Sequence, residues 1–197
     1  FMSLSKLTII IPTFYPGKII KKCLESLPTA SEIIIIDNGV DPELEQIIKL
    51  QKHKIKHYKV GDIGLSKSFN IALAKSKNEN ILITQPDVCF EKNSIKNLVN
   101  AQKKYTRVGI ICPLLFEKKK YSQYDHLDLS LSKLGILKNK RRPKKINIFP
   151  SGDICVEAVN ATAMLIKKSI IRKINGWDEN FYTYHEDIDL CLRLRKK

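Results

Sequence analysis

Carboxylates that follow short apolar runs are the residues best placed to do chemistry in this chain. Asp37 follows Ile33-Ile34-Ile35-Ile36 and precedes Asn38-Gly39. A carboxylate there can accept paired hydrogen bonds from a nucleobase edge or a ribose. Asp-Asn-Gly is equally a turn signal in its own right. Asp87 follows Gln85-Pro86 after a second apolar run, Ile81-Leu82-Ile83. Held by a proline turn, it suits a divalent ion bridging a diphosphate, or simply a solvated turn. Glu186 and Asp187 follow the stretch that begins Trp177-Asp178-Glu179. They suit a general base beside an aromatic platform, or two acids that complement a helix dipole.

Other chemistries lack their residues. There is no Gly-x-Gly-x-x-Gly, no Gly-x-x-x-x-Gly-Lys-Ser/Thr and no Gly-x-Ser-x-Gly, so the common dinucleotide, NTP and hydrolase signatures are missing. The five cysteines contain no Cys-x-x-Cys, and no Cys/His cluster has zinc spacing. They read as reduced, buried thiols of a cytoplasmic protein.

The elements that must position these residues alternate. Apolar, largely β-branched runs at 7–11, 33–36, 55–60, 81–83 and 108–112 predict strands. Between them, Ile19, Ile20, Cys23, Leu24 and Leu27 predict a helix stopped by Pro28. Asp41 caps the next helix, with Pro42 at its first position. A third helix starts near Gly64 and carries Leu65, Phe69, Ala72 and Leu73; a fourth spans about 93–105, capped by Asn93. Strands at 154–159 and 163–166, a helix through Ile170 and Ile171, and a helix at 188–197 complete the chain. This order predicts a three-layer α/β domain with a mostly parallel central sheet. Ligands of such sheets sit beyond the carboxyl ends of the strands. Thr13, Asp37, Asn38, Gly61, Asp62 and Asp87 should therefore gather on one rim.

Taken together, six segments carry a resemblance. They are Thr8-Ile-Ile-Ile-Pro-Thr13, Ile33-Ile-Ile-Ile-Asp-Asn-Gly39, Ile63-Gly-Leu-Ser-Lys-Ser-Phe-Asn70, Ile81-Leu-Ile-Thr-Gln-Pro-Asp87, Asn160-Ala-Thr-Ala-Met-Leu-Ile166 and Gly176-Trp-Asp-Glu-Asn-Phe-Tyr-Thr-Tyr-His-Glu-Asp-Ile-Asp-Leu190. In this order they resemble the family-2 glycosyltransferases, nearest their bacterial rhamnosyltransferase-like branch. The resemblance implies the nucleotide-diphospho-sugar transferase (GT-A) fold. It implies an inverting transfer from a UDP- or dTDP-linked sugar to a hydroxyl of a glycan or lipid-linked acceptor, in cell-envelope polysaccharide synthesis. Pro12, Thr13, Phe14, Asp37, Asn38, Gly64, Lys67, Asn70, Gln85, Asn160 and Ala161 would meet the nucleotide-sugar. Asp87 would hold Mn²⁺ or Mg²⁺, with Gln85 in the first slot of the family's Asp-x-Asp-like motif. Asp62 stands where the family's segment before the third helix opens with Asn, and Ala161 where Gly is commoner. Asp187 would be the catalytic base with Glu186 beside it, and Trp177 and Asp178 would flank the acceptor.

The chain has 197 residues, 43% apolar and 28% charged, enough for one well-buried domain. No apolar run approaches the roughly 18–20 residues of a membrane span, and the start shows no signal-peptide pattern. The final helical pattern is followed by no cap or turn, so a longer natural protein is expected. The formal charge is +15, from 35 Lys and Arg against 20 Asp and Glu. Of that excess, +7 falls at 117–145, ten basic residues against three acidic ones, within an expected surface insertion at 117–150; Arg193, Arg195, Lys196 and Lys197 add +4. Such charge suits an anionic membrane face, placing the enzyme in the cytoplasm and peripherally on the membrane. A nucleic-acid binder is one alternative, though no helix-turn-helix, RNP or zinc pattern accompanies the charge. A sugar nucleotidyltransferase is another, but Thr13-Phe14-Tyr15-Pro16-Gly17 does not match the Gly-rich segment of that class.

Overall fold

Successive side chains of a strand point to opposite faces, and the four isoleucines at 33–36 are all fully buried. Ile33 and Ile35 enter one core, Ile34 and Ile36 another. A strand apolar on both faces needs cover on both, which is the condition of a parallel sheet between two helical layers.

The computed structural model describes residues 4–29, 31–117, 120–121, 126–127, 129–131, 137–139, 152–153 and 155–197. Strands β1 (Leu7–Thr13), β2 (Glu32–Asp37), β3 (Ile55–Lys59) and β4 (Asn80–Thr84) alternate with helices α1 (Ile20–Ser26), α2 (Pro42–Lys49) and α3 (Leu65–Lys75). Helix α4 (Ser94–Lys104) and strand β5 (Ile110–Ile111) follow. Short strands β6 (Phe116–Glu117), β7 (Lys120–Tyr121), β8 (His126–Leu127), β9 (Leu129–Leu131), β10 (Leu137–Asn139) and β11 (Ala158–Val159) come next. Strand β12 (Ala163–Lys167) and helices α5 (Lys168–Lys173) and α6 (Glu186–Arg195) end the order.

The six-stranded sheet runs β3-β2-β1-β4-β12-β5. β3, β2, β1 and β4 pair in parallel, and β12 is antiparallel to both β4 and β5. Helices α1, α2 and α4 cover one face with Cys23, Leu24, Leu44, Ile47, Leu98 and Val99. Helices α3, α5 and α6 cover the other with Phe69, Ala72, Ile171, Ile188 and Leu190. The expected layering is thus found.

Several expectations change at the edges. The strand foreseen at 108–112 pairs only through Ile110 and Ile111, at the edge of the sheet beside β12. The strand foreseen at 154–159 is reduced to Ala158–Val159. The last helix begins two residues earlier, at Glu186, and runs to Arg195. Most of 117–150 lies outside the described residues; its described parts form the antiparallel pairs β6/β7, β9/β10 and β8/β11. Only Cys23 and Cys191 are buried thiols, pushed up to about 12 and about 11 by burial, whereas Cys89 and Cys155 are exposed.

Two helix starts differ in mechanism. Asp41 accepts from the Glu43 N–H at 2.9 Å, a side-chain cap with Pro42 behind it. Asn93 also precedes its helix, but it makes no side-chain cap bond and sits in the left-handed region at φ +68°. Asn tolerates that conformation and Gly prefers it. Asp41→Ala should therefore cost about 1 kcal/mol, whereas Asn93→Gly should leave stability within about 0.5 kcal/mol. Urea unfolding of the two variants beside the unaltered protein measures both. An equal loss in the two would contradict the distinction.

Candidate active site

The carboxyl ends of the first strands coincide, since Thr13 is in register with Asp37, and Asp37 with Lys59. The turns that follow them are stitched together. The Asn38 N–H donates to the Thr13 carbonyl at 2.9 Å, and the Asn38 Oδ1 accepts from the Ser68 hydroxyl of α3 at 2.9 Å. Asp37 has no exposed surface. Its Oδ1 accepts from the Gly39 N–H at 3.1 Å, and its Oδ2 from the Asp41 N–H at 2.9 Å. The Nε2 of His57 lies 3.2 Å from the same Oδ2. In this structure, then, the Asp37 carboxylate is buried and holds the turn after β2. Pro12, Thr13 and Asn38 are buried as well; of the residues expected on this side, Phe14 is the exposed one, at 60%.

Helix α3 crosses to the second half of the rim. Its first N–H groups are orphan donors by the geometry of any helix. The Leu65 N–H donates to the Tyr182 carbonyl at 2.7 Å. That approach needs Gly64: its φ is +83°, and a Cβ there would lie 2.5 Å from the Tyr182 oxygen. The Tyr182 hydroxyl donates to Asp62, and that hydrogen bond raises the phenol above its usual range. Five residues along, the Asn70 side chain bonds to the backbone of Trp177 in both directions. Its Nδ2 donates to the Trp177 carbonyl and its Oδ1 accepts from the Trp177 N–H, each at 2.9 Å. The Nδ2 also meets Glu179 at 2.9 Å. A Cβ on Gly176 would lie 2.5 Å from the Asn70 Oδ1. Asn70 therefore braces the segment 176–179, while Lys67 is exposed on the first turn of α3. Trp177, expected beside the acceptor, is only 2% exposed and packs on Phe69 with ring centroids 5.0 Å apart. It is a core residue because it anchors this segment beneath α3. Asp178 accepts from the Asn180 N–H at 3.0 Å and caps a turn.

The other expected residues meet at the end of β4. The Gln85 amide donates to the Ala161 carbonyl at 3.4 Å, and the Thr84 hydroxyl to the Thr162 carbonyl at 3.1 Å. The Ala161 N–H in turn donates to the Asp187 Oδ2 at 3.0 Å. The second oxygen, Oδ1, accepts from the Ile188 N–H at 2.7 Å. Gln85, Ala161 and Asp187 are thus one chain of hydrogen bonds, with half-buried Asn160 next to it and exposed Asp87 two residues beyond Gln85. Glu186 has the opposite environment. It is 4% exposed, and its Oε2 has no partner among the described residues. Burial above all, helped by the neighbouring Asp187 charge and opposed by a backbone hydrogen bond, holds its carboxyl above the ordinary range.

No group of three or more His, Cys, Asp or Glu that could hold a metal occurs among the described residues. A Mg²⁺-type ion commonly takes one or two carboxylates and fills its remaining positions with substrate phosphates and water. The exposed Asp87 fits that single-carboxylate role; Gln85, engaged with Ala161, is turned to the loop instead.

The six-stranded sheet between two helical layers, with carboxylates at its strand ends, is an α/β architecture that places ligands beyond the carboxyl ends of its strands. Residues 8–172 match the glycosyl transferase family 2 model, and the chain belongs to that family. It is 25% identical over 98% of its length to the low-salt glycan biosynthesis hexosyltransferase Agl10 of Haloferax volcanii, spanning 63% of that relative. It is 29% identical to the rhamnosyltransferase WbbL of Escherichia coli, over 89% of this chain and 71% of that one. Among solved structures, the mannosyltransferase PcManGT of Pyrobaculum calidifontis, determined with GDP-Man and Mn²⁺, superposes with a TM-score of 0.67 at 12% identity. That alignment covers 96% of this chain and 51% of PcManGT. TarS 1-349 of S. aureus with UDP gives 0.66 at 16% identity, covering 96% and 54%. The fold is therefore GT-A, and the chain spans about half to two thirds of the length of several of the proteins it matches.

Sequence reasoning did not find Ser68, His57 or Tyr182. Ser68 and Tyr182 lie inside segments already singled out, but their partners are thirty and more residues away. His53 and His57 are four apart in sequence, yet one is in a bend and the other on β3, so they form no helical pair.

The buried Glu186 carries a pH signature. A carboxyl whose folded pKa is raised stabilises the fold fully below its ordinary value of 4.5 and loses that contribution as pH rises through the folded value. Glu186→Gln stays neutral throughout. The Tm of this variant relative to the unaltered protein should rise between pH 4 and 8. A gap independent of pH would contradict the burial of an ionisable group there.

Proposed function

We propose that this chain is the catalytic part of an inverting glycosyltransferase. It moves a sugar from a UDP- or dTDP-linked donor to a hydroxyl of a glycan or lipid-linked acceptor, in the making of cell-envelope polysaccharide. The observation that carries the reading is the bonded series Gln85, Ala161 and Asp187, which joins a candidate base to the turn bearing Asp87. Family membership and hexosyl- and rhamnosyltransferase relatives support it.

In this mechanism the acceptor hydroxyl gives its proton to a carboxylate oxygen of Asp187. The freed oxygen bonds to the anomeric carbon while the bond to the diphosphate breaks on the opposite face. Position matters here more than acidity, since the base must lie within about 2.6–3.2 Å of the oxygen it deprotonates. The N–H groups of Ala161 and Ile188 hold the carboxylate in one orientation and leave each oxygen a further lone pair. A divalent cation bound at Asp87 supplies charge neutralisation for the departing diphosphate. Of the residues expected to meet the donor, Phe14 and Lys67 are exposed, and Asn70, Gln85 and Asn160 are half-buried. The basic stretch at 117–145 suits an anionic leaflet or a lipid-linked diphosphate, so the enzyme works at the inner face of the membrane. No described helix is long and apolar enough to cross a membrane.

Asp187→Asn should lower transfer by about 10²–10⁴-fold while donor binding persists. Near-normal turnover in that variant would remove Asp187 as the base. A thermal-shift screen of UDP-, dTDP- and GDP-sugars, with and without Mn²⁺, identifies the donor. A ligand at a hundred times its Kd stabilises by about 2.7 kcal/mol. Asp87→Ala should erase the Mn²⁺-dependent part of that shift; an unchanged Mn²⁺ effect would place the ion elsewhere.

A further inference from the structure

The turn that leads into α6 leaves two tyrosine side chains in solvent, Tyr182 at 52% and Tyr184 at 77% exposure. Tyr184 and the following His185 both sit in the left-handed region, at φ +65° and +69°. That conformation is uncommon for bulky residues, and glycine is its usual occupant. Two in succession persist only where the surroundings impose them. Here they do. The Tyr182 carbonyl is bonded to Leu65 and its hydroxyl to Asp62. The Phe181 N–H donates to the Asp178 carbonyl at 3.1 Å, and the Asp189 N–H to the His185 carbonyl at 2.9 Å. The turn is thus fastened on both sides of its strained residues, and the ring of Tyr184 is kept out of the core. Trp177, the chain's single tryptophan, is buried and offers no surface to a ligand.

Resting on the transferase reading above, we propose that Tyr184 is a preformed platform for the pyranose ring of the acceptor, a few residues before Asp187. A pyranose has a face of polarised C–H bonds and a rim of hydroxyls. The C–H face matches the negative face of an aromatic ring, and a rim hydroxyl matches the carboxylate of Asp187. Three residues of chain separate Tyr184 from Asp187, at most about 11 Å when extended, so one sugar ring can touch both. A platform that is already rigid avoids the ordering cost that a mobile loop incurs on binding.

The test uses saturation-transfer NMR on the UDP-loaded protein. The probes are methyl β-D-glucopyranoside, methyl N-acetyl-β-D-glucosaminide and methyl α-L-rhamnopyranoside, with sorbitol as a polyol lacking a ring face. At least one pyranoside should receive saturation at its ring C–H protons, and sorbitol should not. Tyr184→Gly, which suits the left-handed backbone, should fold with a Tm at least equal to the unaltered protein. It should weaken pyranoside affinity about tenfold, equivalent to about 1.4 kcal/mol, with UDP stabilisation unchanged. Tyr184→Trp should restore the affinity. Equal pyranoside contacts in the unaltered protein and Tyr184→Gly, no ring contact in either, or equal contact with sorbitol would each overturn the platform. So would loss of binding to phosphatidylglycerol vesicles in Tyr184→Gly with pyranoside contacts unchanged, since the tyrosines would then serve lipid. Failure of every UDP-, dTDP- and GDP-sugar to stabilise the unaltered protein would overturn the transferase reading itself, and the platform with it.

Discussion

The site depends on one helix bonding to one turn at two places. Helix α3 holds the turn before α6 through Leu65 and the Tyr182 carbonyl, and through Asn70 and both backbone groups of Trp177. Each bond contributes only about 1 kcal/mol net, so their importance is geometric. Both contacts come closer than a Cβ permits, the Tyr182 backbone at Gly64 and the Asn70 side chain at Gly176, which explains the two glycines. On its other side the same helix bonds Asn38 through Ser68. The turns after β1 and β2 and the turn before α6 are therefore referenced to one rigid body. A shift of α3 would move both halves of the rim.

Within that frame, two adjacent carboxylates receive opposite treatment. Asp187 is half-buried and bonded through both oxygens to backbone N–H groups. Glu186 is nearly inaccessible and has an oxygen without a partner among the described residues. Environments that differ in this way let one motif give two adjacent acids separate roles. The proposal of Asp187 over Glu186 as base follows from that contrast: the Asp187 carboxylate is partly accessible and oriented by two N–H donors, whereas Glu186 is closed off from an acceptor by burial.

The sheet was legible in the sequence because its constraint is local. A run of isoleucines buried on both faces has few alternatives, and Asp41-Pro42 is a start signal that its neighbours do not override. The ends of the sheet were less legible. At 108–112 the sequence shows apolar residues, but which of them pair depends on the course of β12, far along the chain. Trp177 illustrates the same point within the site. Its residue type suits a sugar platform and a core anchor equally, and only the distant Phe69 and Asn70 decide between them. Asp37 likewise reads as a ligand by type, while its bonds to the turn amides and to His57, twenty residues away, are not visible from its neighbours. Function written in side-chain type is visible from a sequence; function written in who occupies a lone pair is not.

The basic excess divides along the same line. Counted as surface charge, Arg193 belongs to the run that ends the chain. In the fold its Nη1 donates to the Ile174 carbonyl at 2.6 Å and the Gly176 carbonyl at 2.8 Å, and its Nε donates to Asp189 at 2.7 Å. It thereby ties α6 to the loop that Asn70 holds from the opposite side. Helix α6 has Asp187 at its second position, so a slide along its axis by one residue would carry the proposed base about 1.5 Å. That displacement is comparable to the tolerance of a reacting hydrogen bond. Arg193 and Asn70 fix the same loop from two helices, and the register of Asp187 follows from that pairing, with net charge having no part in it.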